Sequence, residues 1–191
     1  MQKQQLNLAC LSVILLASTQ MVASQVFNLG RCPRTITTVQ DFDASKYLGL
    51  WNEYAKYPFI FEAGGRCIQA QYGALAGDQV SVLNTQTTKL NVRQSIEGIA
   101  TVEGPGKLSV RFNGLAALSG DSPYWVLSTD YTTYAVVYSC TNLGIAHTKV
   151  VWILTRDRIP SPAVVKKAED AIVAQNLPLS PLEITDQLDC E

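Results

Sequence analysis

The chain has 191 residues, of which 47% are hydrophobic and 16% are charged. Its 15 basic and 16 acidic residues nearly cancel, and charges of both signs are scattered along the sequence. This distribution excludes the concentrated basic surface of nucleic-acid-binding proteins and the polybasic patch that attracts anionic membranes.

The first segment has the layout of a secretory signal peptide. Lys3 gives it a positive start, the stretch from Leu8 to Ala17 is almost wholly apolar, and Val22-Ala23-Ser24 places small residues before a cleavage point. The apolar stretch is too short to span a bilayer comfortably and no later window is long enough, so no transmembrane segment is expected. We therefore predict a signal peptide over residues 1–24 and one secreted, extracellular domain over residues 25–191, large enough to bury a core.

Short strands dominate the rest of the chain. The run from Leu108 to Phe112 alternates apolar and polar residues, and Glu103-Gly104-Pro105-Gly106 before it is a tight turn. About eight such runs follow one another, and this spacing is typical of a closed barrel or a sandwich. The predicted strands run from Leu50 to Phe61, Gln69 to Leu75, Val80 to Asn84, Val92 to Val102, Leu108 to Phe112, Tyr124 to Leu127, Tyr134 to Tyr138 and Lys149 to Thr155.

One helix is predicted near the end of the sequence. Ser161 is a good N-cap residue, and Pro162 suits the first helical position. Apolar residues then recur at helical spacing as far as Asn176, which predicts one apolar stripe packed against the outside of the sheet. These residues are Val164, Val165, Ala168 and Ile172.

The cysteines predict two disulfides. Cys10 leaves with the signal peptide, and Cys32, Cys67, Cys140 and Cys190 remain. An even number in an exported chain indicates disulfides, with three possible pairings among which the spacing alone does not choose. The four residues are far apart and no C-x-x-C pattern occurs, so a zinc site is not expected.

Three short motifs occur in order among the predicted strands. Gly49 and Trp51 form a G-x-W pattern at the first strand, Thr129-Asp130-Tyr131 precedes the seventh, and Arg156 follows the last. In this order they resemble the signature motifs of the lipocalin family, and the match is closest to its apolipoprotein D and Lazarillo-like subgroup. The resemblance covers nearly the whole chain after the signal peptide. Further stretches that carry it are Phe42 to Trp51, Arg66 to Ala70, Pro123 to Tyr131, Val137 to Cys140 and Thr185 to Gln187.

The resemblance implies an all-β fold, an eight-stranded antiparallel up-and-down barrel that is closed at one end, with one C-terminal helix packed outside. It also implies the pairings Cys32–Cys140 and Cys67–Cys190. In the family, the tryptophan of the first motif lies under the arginine of the third at the closed end. The residues to which it assigns structural roles are Gly49, Trp51, Thr129, Asp130, Tyr131 and Arg156.

A barrel of eight strands can hold one small ligand. The predicted function is therefore extracellular binding and transport of a small hydrophobic ligand, such as a fatty acid, a retinoid, a sterol or a tetrapyrrole, which apolar walls with a few hydroxyl groups suit. Trp152 is the strongest candidate, because the resemblance places it on the last strand facing the cavity. Trp125 is a further aromatic candidate. The other candidate ligand-binding residues are Tyr54, Phe59, Tyr72, Phe61 and Tyr124.

Two alternatives stay open, a pigment protein that holds a bilin or carotenoid and a signalling protein that binds a cell-surface receptor. A lipid particle is a further candidate partner. Catalysis is not expected, because His147 is the only histidine, no G-x-S-x-G elbow is present and the remaining cysteines are predicted to be paired. We expect no catalytic residue, no cofactor and no metal ion, and we place His147 in an exposed hairpin near the open end.

Overall fold

The computed structural model describes residues 26–59 and 62–190, so the predicted signal peptide and Phe61 lie outside the described residues. Within this part of the chain, ten strands form one antiparallel sheet. The strands are β1 (Val26–Leu29), β2 (Gly49–Lys56), β3 (Arg66–Ala74), β4 (Gln79–Thr87), β5 (Arg93–Gly104), β6 (Lys107–Phe112), β7 (Ser122–Thr129), β8 (Tyr134–Leu143), β9 (Ala146–Thr155) and β10 (Glu183–Ile184).

The eight strands from β2 to β9 close into a barrel. Each pairs with the next along the chain, and β9 pairs back with β2, where Asn52 lies opposite Thr155 and Lys56 opposite Trp152. Closure leaves no free strand edges within the barrel. The short strands β1 and β10 are added outside this ring, on β9 and β2 respectively. The predicted fold class, an eight-stranded antiparallel barrel, is confirmed.

Over the described ranges, three helices accompany the barrel: α1 (Ala44–Tyr47), a 3-10 helix (Gly114–Ser119) and α2 (Pro162–Ala174). The hydroxyl of Ser161 caps α2 by accepting a hydrogen bond from the backbone N–H of Val164. Ala168 and Ile172 are fully buried in a cluster with residues from the outer face of the barrel, such as Val136. The prediction of one C-terminal helix packed outside the barrel is therefore confirmed.

A second apolar cluster fills the closed half of the barrel. Trp51, Ala100 and Val137 are fully buried there, and Tyr47 of α1 packs in the same cluster. Because this half is filled by side chains, any internal space must lie toward the other end. Two disulfides, Cys32–Cys140 and Cys67–Cys190, tie the two terminal segments to the barrel.

The predicted strand from Leu50 to Phe61 is longer than the observed strand, because β2 ends at Lys56. Pro58 follows shortly, and proline has no N–H for a strand ladder. The strands β1 and β10 and the helix α1 were not predicted, since each is four residues or fewer and has little periodicity of its own. Among the described residues, no helix is both long and apolar enough to cross a membrane.

Candidate ligand-binding site

The open half of the barrel contains a cavity of about 330 Å³. Val82, Val110 and Leu154 contribute apolar wall, each from a different strand. A second compartment of about 470 Å³ adjoins it, because Phe59 and Ile68 line both. Small-molecule sites commonly have volumes of roughly 300–1,000 Å³, so this space can take one small ligand.

Four of the predicted ligand-binding residues, Phe59, Tyr72, Tyr124 and Trp152, line this cavity. Trp152 lies on β9, and its Nε1 donates a hydrogen bond to Oε2 of Glu62 at 3.3 Å. The ring of Phe59 meets the indole edge-on, with 5.6 Å between the ring centroids. The indole is thus fixed on two sides while one face borders the cavity. Phe61 lies outside the described residues.

Three tyrosine hydroxyls form a hydrogen-bonded chain beside the cavity. Tyr72 donates to the hydroxyl of Tyr124 at 2.7 Å, and the hydroxyls of Tyr124 and Tyr47 are 2.9 Å apart. Burial raises the pKa of Tyr72 and of Tyr124, so both phenols stay uncharged. They supply polar atoms to an otherwise apolar region without adding charge.

Tyr54 and Trp125 do not line the cavity, which corrects both candidate assignments. Side chains alternate along a strand, so the neighbours Glu53 and Tyr124 point inward and these two aromatics point outward. Tyr54 lies on the outer face beside Val165 of α2. The indole of Trp125 packs on the ring of Tyr138, with centroids 6.2 Å apart, and Lys107 lies over it.

A buried polar network forms part of the cavity wall. Nζ of Lys56 lies 2.7 Å from Oε1 of Glu53 and 3.2 Å from Oε2 of Glu62. Two side chains of the C-terminal segment complete it. The Thr185 hydroxyl donates to the Glu53 carboxylate, and Nε2 of Gln187 donates to the Glu53 carbonyl at 2.8 Å. Both carboxylates border the cavity, so the wall carries charge that the aromatic pattern did not reveal.

A β-bulge explains why the network escaped prediction. In a regular strand, residues three positions apart point to opposite faces. The register of β2 shifts between Glu53 and Ala55, so that Glu53 lies opposite Leu154 and Lys56 lies opposite Trp152. Both partners line the cavity, and the bulge therefore brings the carboxylate and the ammonium to the same inner face.

The charges of this network depend on one another. Burial raises the pKa of Glu53 to about 8, and the negative charge of Glu62 adds to the shift. Burial by itself would lower the pKa of Lys56, but the two carboxylates outweigh it and raise that pKa. Near neutral pH the ammonium stays charged and Glu53 tends to hold a proton.

The signature residues meet at the closed end of the barrel. The guanidinium of Arg156 lies 3.7 Å from the ring centroid of Trp51, which is fully buried. Arg156 also donates hydrogen bonds to the carbonyls of Leu50 at 2.7 Å, Leu48 at 2.9 Å and Tyr131 at 3.0 Å. These contacts join the start of β2, the β7–β8 loop and the end of β9.

Three further signature positions shape the same end. Gly49 has φ +93°, and a Cβ there would lie 3.4 Å from the guanidinium of Arg156. Burial acts to raise the pKa of Asp130, but hydrogen bonds from Thr133 and neighbouring backbone N–H groups outweigh it and lower that pKa. The Thr129 hydroxyl donates to the Tyr134 carbonyl at 2.7 Å, which tightens the β7–β8 loop.

His147 is not the exposed hairpin residue that the sequence predicted. It lies on β9, is only 5% exposed, and its Nδ1 is 3.0 Å from the Gly30 carbonyl. The strand β1 covers it, and that strand was not foreseen. No group of three or more metal-ligating side chains occurs among the described residues.

Comparisons with known proteins agree with this architecture. The model of the "Lipocalin / cytosolic fatty-acid binding protein family" matches residues 48–189. The chain is 42% identical to apolipoprotein D of Oryctolagus cuniculus over 170 residues, which cover 87% of each chain. It is 33% identical to the Lazarillo protein of Schistocerca americana over 159 residues, 79% of this chain and 72% of that protein.

A solved structure leads to the same family. Insecticyanin of Manduca sexta matches this fold with a TM-score of 0.74 and 26% identity, over 85% of this chain and 89% of that one. The chain therefore belongs to the lipocalin family as an apolipoprotein D-like member, which implies binding of a small hydrophobic ligand rather than catalysis.

Proposed function

We propose that this protein is secreted and carries one small apolar molecule in the cavity of its barrel. The observation that carries the proposal is the volume of about 330 Å³ that the barrel's own side chains leave inside its open half. The predicted signal peptide, the two disulfides and the apolipoprotein D relatives support export from the cell.

Apolar burial would supply most of the affinity. Removing apolar surface from water contributes roughly 25 cal/mol per Å², and an aromatic side chain offers about 150–250 Å² of surface. Trp152, Phe59, Tyr72 and Tyr124 border the cavity, and we propose that they contact the ligand. Trp152 is the first of these residues to test, because Phe59 and Glu62 hold its indole in place beside the cavity.

Truncation of Trp152 tests the proposal. Trp152→Ala should weaken the binding of a neutral apolar fluorophore, N-phenyl-1-naphthylamine, by about tenfold or more, because a large part of the aromatic wall is lost. Fluorescence titration measures the affinity, and far-ultraviolet circular dichroism verifies that the barrel has folded.

Trp125→Ala is the matched control, since that indole lies on the outer face of the same barrel. It should bind the fluorophore as the wild type does. Unchanged affinity in Trp152→Ala, or an equal loss in both variants, would contradict the assignment of the ligand to this cavity.

A further inference from the structure

Acidic side chains outnumber basic ones at the cavity wall. Glu53 and Glu62 both line the cavity, and no basic side chain is found among the described residues that line it. The nearest cation is Lys56, which contacts both carboxylates, at 2.7 Å and 3.2 Å. Two acids therefore share one ammonium, and the wall presents hydrogen-bond acceptors to whatever enters.

The ammonium of Lys56 already has two carboxyl partners in a buried position. The side chain of Lys56 is 8% exposed and that of Glu53 is 3% exposed, so little water screens the pair. Thr185 donates a further hydrogen bond to Glu53, and Trp152 donates one to Glu62. These donors are turned toward the protein's own carboxylates and are not free to meet a second anion.

A second, independent group points the same way. Asn84 lies on β4, two strands away from β2, and lines both compartments of the cavity. Its Oδ1 is buried and has no hydrogen-bond partner among the described residues. An unpaired buried acceptor is costly, and a donor group on a ligand would satisfy it.

We propose that the cavity selects apolar molecules whose polar end is an uncharged hydrogen-bond donor, such as an alcohol, over molecules of the same shape that end in a carboxylate. This inference rests on the proposed function, because it concerns the ligand of the same cavity. The hydroxyl would donate to the acceptors of Glu62 or Asn84.

The physical reason is charge. A carboxylate in this cavity would lose its water, find no free cation and stand beside Glu62. Burial, and after it the negative charge of Glu62, already raise the pKa of Glu53 to about 8, so this part of the wall disfavours a further anion. A hydroxyl of the same chain length brings no charge and supplies a donor for the unpaired Oδ1 of Asn84 or for Glu62.

The test compares decan-1-ol with decanoate, which share a chain length and differ only at the polar end. Each is titrated as a competitor of N-phenyl-1-naphthylamine at about pH 7.5, where a carboxylic acid in water is ionised. Wild-type protein should bind the alcohol at least about tenfold more tightly than the acid, because an unpaired buried charge is strongly disfavoured.

Two variants assign the preference to the network. Glu62→Gln removes a negative charge, and Glu53→Gln removes the other acid that contacts Lys56. Each leaves the ammonium with a single acidic partner, so each should strengthen decanoate relative to decanol. Either variant that retains fluorophore binding is sufficient for the comparison. Glu97→Gln is the control, because Glu97 is exposed on β5, and it should keep the wild-type ratio.

The outcomes separate the two claims. Equal or tighter binding of decanoate by the wild type would overturn the selectivity. A carboxylate that stays in solvent at the rim of the cavity would erase the difference in affinity between the two compounds, and this result too would overturn the selectivity. An unchanged ratio in both network variants would overturn the role of the network. If neither the fluorophore nor decanol binds the wild type, the proposed function itself is wrong.

Discussion

Arg156 is a single residue that connects several segments at the closed end of the barrel. Its guanidinium stacks on the fully buried Trp51 and donates to carbonyls from two separate segments. Stacking of this kind stabilises by roughly 0.5–2 kcal/mol, and each hydrogen bond adds about 1 kcal/mol. Arg156 is not among the residues that line the cavity, so its contribution should be to folding.

Arg156→Ala should therefore lower the free energy of unfolding by roughly 2–4 kcal/mol, because stacking and several hydrogen bonds are lost together. Urea unfolding followed by fluorescence measures the change. Binding of N-phenyl-1-naphthylamine to the folded variant should stay near the wild-type value.

Arg111→Ala is the appropriate control for this charge deletion. Arg111 pairs with Asp121 on the exposed surface, where such a pair contributes about 0–1 kcal/mol. If both variants unfold at the same urea concentration as the wild type, Arg156 does not brace the closed end.

At single positions, the sequence indicates which residue types form the wall better than it indicates which face of a strand each side chain occupies. The aromatic content of the wall could be read from the sequence, yet whether Tyr54 or Glu53 faces inward depends on the register of β2. The bulge between Glu53 and Ala55 then places Lys56 on the same face, and nothing in a period-two pattern marks it. The charged part of the site could be found only from the structure.

At the scale of elements, each terminal segment acts as a strap, meaning a segment that a disulfide joins to the barrel. Cys67 lies on β3 and bonds to Cys190, so the segment before Cys190 is held against β2. Thr185 and Gln187 in that segment contact Glu53. The strap thus reaches from the chain's end to the polar wall of the cavity.

The two disulfides should contribute nearly equally to stability. Their sequence separations are 108 and 123 residues, and loop-closure entropy changes only slowly with length. Each paired replacement, Cys32→Ser with Cys140→Ser or Cys67→Ser with Cys190→Ser, should lower the free energy of unfolding by about 2–5 kcal/mol in urea titrations. A replacement that costs nothing would show that its strap is not part of the stable fold.

The eight barrel strands and α2 could be predicted because each carries its own signal. Alternation and turn residues mark the strands, while Ser161, Pro162 and an apolar stripe mark the helix. The strands β1 and β10 carry no such signal, because they form only by adding to β9 and β2. That is also why His147, which β1 covers, was expected in solvent.

At the scale of the whole molecule, the two ends of the barrel have different tasks. Signature residues and α1 fill the closed end with packed side chains, and the open end keeps a cavity with apolar walls and one polar network. The same sheet thus provides both the stability and the space. We propose that one small apolar molecule occupies this space.

Native mass spectrometry of the protein purified from its source tests that claim most directly. We expect a mass above that of the disulfide-bonded chain by one small molecule, and extraction with organic solvent should release an apolar compound and return the bare mass. A bare chain in the native spectrum, together with no binding of apolar molecules added afterwards, would contradict it.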